Sequence, residues 1–90
     1  MKKELASLKG KAIVVDTRSN WIYLGTLEEV TAHCLILTEA DAHDISDTDV
    51  SKEFYIFDSR TTGLKPNRNR VYVNLDHVAG FSELEDIKAF

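Results

Sequence analysis

Apolar residues in this chain come in short bursts between polar turns, the pattern of a small sheet rather than a helical bundle. Residues 2–9 (KKELASLK) place Leu5 and Leu8 three apart, and Gly10 follows, which predicts a short N-terminal helix with a glycine stop. Such a helix is marginal alone, so its apolar side must dock on the rest of the chain. Residues 12–16 (AIVVD) are β-branched and predict a first strand. After the turn Arg18-Ser19-Asn20, residues 21–27 alternate as a second strand. Trp21, Tyr23 and Gly25 share one parity, and Ile22, Leu24 and Thr26 the other. A glycine inside a strand marks a sharp bend or a close backbone approach, and Gly25 holds that position. Residues 33–38 (HCLILT) form a third strand whose unbroken apolar run predicts cover on both faces.

Residues 40–50 (ADAHDISDTDV) are polar and acidic and predict a loop. Residues 50–60 satisfy two patterns. Phe54-Tyr55-Ile56-Phe57 has strand propensity, whereas Val50, Phe54 and Phe57 fall at helical spacing. With Thr48 or Asp47 as a cap and Gly63 then Pro66 as a stop, the helix is the preferred reading. Residues 61–69 (TTGLKPNRN) predict a loop and residues 70–75 a fourth strand. Asp76-His77 makes a tight turn, and residues 78–82 a last strand. Residues 83–90 suit one helical turn through Leu84, Ile87 and Phe90. No repeat or linker divides the chain, so residues 1–90 are expected to form a single domain, with 40–69 as an insertion between strands three and four.

A helix followed by five short strands, the second bent at a glycine, resembles the Sm/LSm family. Gly25-Thr26-Leu27 followed by Leu35-x-Leu37-x-Glu39-Ala40 is similar to that family's first motif. Val73-Asn74-Leu75-Asp76-His77-Val78-Ala79-Gly80-Phe81 is similar to the second, and Leu8-Lys9-Gly10-Lys11 fits the approach to the first strand. The resemblance implies a mainly β fold: a strongly bent, open, five-stranded Sm-like barrel with an N-terminal helix and a helical insertion. It further implies rings formed by edge-strand pairing, and single-stranded RNA as a ligand of many members. The chain departs from the family at the RNA-reading positions. Asn74-Leu75 stands where the family has Arg-Gly. Aligning on Gly25 puts Thr31 at the aspartate position, His33 at the base-stacking position, Cys34 at the next apolar position and Leu35 at the asparagine position. Aligning on Leu35-x-Leu37 puts Cys34 at the asparagine position instead. Neither alignment restores the uridine-reading pair, so the resemblance favours the fold and the ring over uridine-rich recognition.

Composition narrows the classes. Ninety residues suit one domain of modest stability, and burial against a copy of itself would add to it. Cys34 is the sole cysteine, which excludes an intrachain disulfide and points to a reducing, cytoplasmic setting. No apolar run reaches the roughly 18 residues of a membrane span, and the first residues lack a signal-peptide pattern. The net charge of −4 is unevenly spread. Residues 24–57 hold Glu28, Glu29, Glu39, Asp41, Asp44, Asp47, Asp49 and Glu53 against Lys52, while Arg60, Lys65, Arg68 and Arg70 occupy an acid-free stretch. That dipolar layout suits head-to-tail self-association and lacks the broad basic face of a duplex-DNA binder.

The strongest functional candidate is the basic segment. Lys65, Asn67, Arg68, Asn69 and Arg70 bring donors together, and arginine forks take phosphate or carboxylate bidentately. Tyr72, Trp21 and Tyr23 offer stacking surfaces for single-stranded bases. The competing reading pairs these cations with the acidic 39–53 segment, within the chain or across a ring interface. His33 and Asn74 join the ligand candidates through the family alignment. Asp41, His43 and Asp44 have metal-ligand residue types but neither zinc nor calcium spacing, so no metal and no cofactor are expected. Asp76-His77 reads as a turn rather than an acid–base pair, and Cys34 as a small hydrophobe. With no catalytic or nucleotide fingerprint, the expectation is a non-enzymatic, homo-oligomeric Sm-like scaffold or binding module. Single-stranded RNA binding through 65–70 is the alternative, and a small metal-dependent domain is the least favoured reading.

Overall fold

A computed structural model describes residues 1–88. Its elements run α1 (Lys2–Ala6), β1 (Ala12–Thr17), β2 (Trp21–Val30), β3 (Cys34–Asp44), α2 (Lys52–Thr62), β4 (Arg68–Asn74) and β5 (Val78–Glu83). The strands form one antiparallel sheet in the order β4-β3-β2-β1-β5.

Gly25 sets the bend. Partners run from Leu24 with Asp41 to Thr26 with Thr38, so a single residue of β2 faces Glu39 and Ala40 together. Glu39 absorbs the extra residue at a φ of 47°, in the left-handed region. A second shift between Leu27 and Glu29 adds curvature further along. The bent sheet carries β5 alongside β1, with Val15 opposite Phe81 and Asp16 opposite Gly80. Strands 12–16 and 78–82 are therefore neighbours, as a sheet wrapping on itself requires.

The inner face holds Leu5, Ile13, Val15, Leu27, Leu35, Leu37, Val73, Leu75 and Val78. Leu5 is fully buried there, worth about 1.5–3 kcal/mol relative to exposure, and this anchors a five-residue helix with no side-chain cap. On the outer face, Val14, Ile22 and Leu24 pack with Ile56 of α2 and with Leu84. Lys52 at the start of α2 also meets Asp16 of β1 at 2.6 Å.

Several expectations change here. Residues 40–44 are not loop but the end of β3, paired with Trp21 to Leu24 of β2. The third strand is not covered on both faces throughout. Leu35 and Leu37 are buried, yet Cys34 and Ile36 stay partly exposed, because α2 covers the sheet further along, beside Asp41 and His43. The preferred helix in the insertion forms, but its cap is Ser51, whose Oγ accepts the Phe54 N–H at 3.1 Å. Its buried positions are Ile56 and Ser59, and Val50 and Phe54 are exposed. Gly63, at a φ of 97°, ends the helix. The connection to β4 is thus residues 63–67, shorter than the expected 61–69. The final turn is a 3-10 turn at Leu84–Asp86, and the expected part of Phe90 lies outside the described residues.

Candidate nucleic-acid interface

The basic segment runs from the end of α2 into β4, and its members have different employment. Asn67 is bound into the sheet. Its Oδ1 accepts the Ala42 N–H at 3.0 Å, its Nδ2 donates to the Ala42 carbonyl at 2.9 Å, and its own N–H donates to the Ala40 carbonyl at 2.9 Å. Lys65 pairs with Asp58 of α2 at 3.4 Å, and Arg70 with Glu28 of β2 at 3.0 Å. Neither partner belongs to the acidic 39–53 segment. Both pairs are exposed and worth about 0–1 kcal/mol, so a stronger anion can displace them. Arg68 is exposed, and among the described residues it has no carboxylate within ion-pair distance.

Arg68 borders a cleft of about 210 Å³ with Trp21, Tyr23, Ala42 and Val71. The Trp21 and Tyr23 rings lie 6.5 Å apart between centroids, with planes inclined by 20°. That arrangement follows from their shared parity on β2. Ala42 sits directly opposite Tyr23, and its small side chain leaves space beside the rings. Tyr23 also lines a second hollow of about 340 Å³, bounded by Thr17, Ser19, Tyr72, Val73, Asn74 and His77. The two hollows thus share Tyr23. Tyr72, 62% exposed, borders the second.

The β2–β3 turn and the β4–β5 connection meet. The Leu75 N–H donates to the His33 carbonyl at 2.9 Å, and Cys34 lies opposite Asn74. Both polar residues there serve their own backbone. Thr31 Oγ1 accepts from the His33 N–H at 3.3 Å and the Cys34 N–H at 3.1 Å. Asn74 Oδ1 accepts from the Asp76 N–H at 2.9 Å. His33 is exposed beside them. The structure therefore brings His33 and Asn74 together at one end of β4, and leaves Lys65, Asn67 and Arg68 at the other.

The weak metal candidates have other partners. Asp41, buried, takes a hydrogen bond from the Tyr55 hydroxyl, and the His43 ring stacks on Tyr55 at 4.0 Å. Asp44 accepts from the Ser46 N–H at 3.0 Å and from its hydroxyl at 2.7 Å, which holds its carboxyl below the usual range. Burial pushes the Tyr55 phenol well above its ordinary value, and its bond to Asp41 adds to the shift. Among the described residues, no group of three or more His, Cys, Asp or Glu is placed to hold a metal. The Asp41–Tyr55 contact escaped the sequence reading. Its one signal was the helical register set by Ser51, which puts Tyr55 and Ile56 toward the sheet.

No family model matches this chain, and no curated protein matches it significantly. Solved structures do. The chain superposes on the Sm protein of Pyrococcus abyssii, solved in complex with a uridine heptamer, with a TM-score of 0.61 and 12% identity over 90% of this chain and 93% of that one. An Sm-like archaeal protein from Pyrobaculum aerophilum matches with a TM-score of 0.60 and 19% identity over 92% of this chain. This chain spans 50% of that protein's length. The fold is therefore Sm-like: a bent five-stranded antiparallel sheet with an N-terminal helix and a helix between β3 and β4.

Proposed function

We propose that this Sm-like domain is a non-enzymatic module that assembles with copies of itself by pairing β4 of one copy with β5 of the next. The observation that carries the reading is the sheet order. It ends in β4 on one side and β5 on the other, and among the described residues no strand pairs with the outer side of either. An uncovered edge is a template for another strand. Asn67 and Leu75 turn their amides toward β3, so by the alternation of the ladder Arg70, Tyr72 and Asn74 turn theirs outward. Charge agrees with a head-to-tail contact, since β4 carries Arg68 and Arg70 and β5 carries Glu83. A heterologous contact of this kind closes into a ring when its rotation permits.

Light scattering tests the reading. The wild-type chain is expected at a multiple of 10.2 kDa. Tyr72→Pro removes an outward amide without touching the β3 ladder, and is expected to shift the mass to that of one chain with the far-UV spectrum retained. A wild-type mass of one chain at every concentration overturns it.

RNA binding is the second reading, supported by the likeness to a protein solved with a uridine heptamer and by the exposed cations of residues 65–70. Its test is a titration with single-stranded RNA at rising salt, in which phosphate contacts weaken steeply. A free Cys34 suits a reducing compartment, and among the described residues no helix is long and apolar enough to cross a membrane.

A further inference from the structure

We propose that the cleft between Arg68 and the Trp21–Tyr23 pair binds a nucleotide of single-stranded RNA, the base stacking on the rings and the phosphate meeting the guanidinium. The inference rests on the RNA-binding reading and gives it a place away from the β2–β3 and β4–β5 turns. At those turns, Thr31 and Asn74 spend acceptors on their own backbone, and no arginine is present among residues 31–34 or 74–77. The cleft has what the turns lack. Two aromatic rings present near-parallel faces at the two-residue repeat of a strand, and Trp21 is 37% exposed. Every base has a π face, so such a platform takes bases of any sequence.

Arg68 supplies the charge. Its neighbours Lys65 and Arg70 already hold carboxylates, whereas Arg68 borders the cleft with no acid in ion-pair range among the described residues. A guanidinium is weakly hydrated and grips phosphate through two donors at once. Ala42 leaves room beside the rings, and the neighbouring hollow that shares Tyr23 offers Tyr72 and His77 to the next nucleotide.

Trp21 is the single tryptophan of the chain, so its emission reports on the cleft directly. The probes are heptameric oligouridylate and oligoadenylate, added to the full chain at low salt. Both are expected to quench Trp21 emission, with the same midpoint as binding followed by anisotropy of labelled RNA. Arg68→Ala is expected to weaken binding about tenfold and to lower the salt slope by about one phosphate contact. Trp21→Leu is expected to weaken it by a similar factor, read by anisotropy. Both side chains are exposed in the single chain, so the variants keep the wild-type far-UV spectrum. Binding that leaves Trp21 emission unchanged and is lost in His33→Ala rather than Arg68→Ala overturns the cleft and leaves the RNA reading standing. No binding of either probe at low salt removes both.

Discussion

Gly25 and Ala40 lie backbone against backbone across β2 and β3. A Cβ at position 25 would stand 3.1 Å from the Ala40 Cα and 3.1 Å from the Thr38 carbonyl oxygen. The glycine is needed for close approach at the bend, not for an unusual φ, since Gly10 and Gly63 are the glycines at positive φ. Gly25→Ala is expected to cost about 1–2 kcal/mol, the overpacking strain less the entropy that alanine saves. Gly80→Ala meets nothing within 4 Å and is expected to be neutral or slightly stabilising. Urea unfolding of both at one fixed protein concentration makes the comparison; equal effects would remove the close approach as the reason for the glycine.

Tyr55 is the donor to Asp41, which is only 3% exposed. Removing the hydroxyl in Tyr55→Phe leaves a buried carboxyl group without that partner, at a cost of about 1–3 kcal/mol. The pH dependence has a definite sign. The folded-state pKa of Tyr55 is raised above its ordinary 10.0. Below that pH both states keep the proton. Above it the unfolded chain sheds a proton that the folded chain retains, so stability falls as pH rises. Urea midpoints from pH 8 to 11 should decline more in wild type than in Tyr55→Phe, and parallel declines would contradict the assignment.

Ser51 is the cap of α2, through its bond to the Phe54 amide. Ser51→Ala is expected to lower stability by about 1 kcal/mol, while Asp47→Ala leaves the helix cap intact. Thermal unfolding distinguishes them; a larger effect at Asp47 would place the cap elsewhere.

Asn67 closes a pair of hydrogen bonds on Ala42. Asn67→Ala is therefore expected to destabilise the fold by about 1–2 kcal/mol and to leave any RNA affinity of the folded protein unchanged. Affinity lost in proportion to Arg68→Ala, with stability intact, would return Asn67 to the ligand candidates.

What could be read beforehand follows from which forces are local. Alternation along 21–27 and the glycine within it announce a bent strand, because strand period and close approach are written in adjacent residues. The end of β3 was hidden because Asp41 and His43 look like loop residues. Asp41 pairs with Leu24 and His43 with Ile22 across the sheet, and the Tyr55 that meets both lies 14 positions from Asp41. The helix in the insertion was legible from its stop signals, yet Val50, Phe54 and Phe57 misidentified its buried face. The register is set by Ser51, and the sheet selects Ile56. In the basic segment, composition marks Lys65, Asn67, Arg68 and Arg70 as one cluster of donors. It cannot separate Arg68 from the others, since Lys65, Asn67 and Arg70 find partners 7, 25 and 42 positions away.

Assembly through the sheet edges is open to a direct measurement, the hydrogen exchange of the Tyr72 amide. Pairing of β4 with a neighbouring β5 predicts slow exchange in concentrated protein that becomes fast on dilution to single chains. Exchange at the rate of a free amide at every concentration, while the β3-facing Val71 and Val73 amides stay protected, would contradict it.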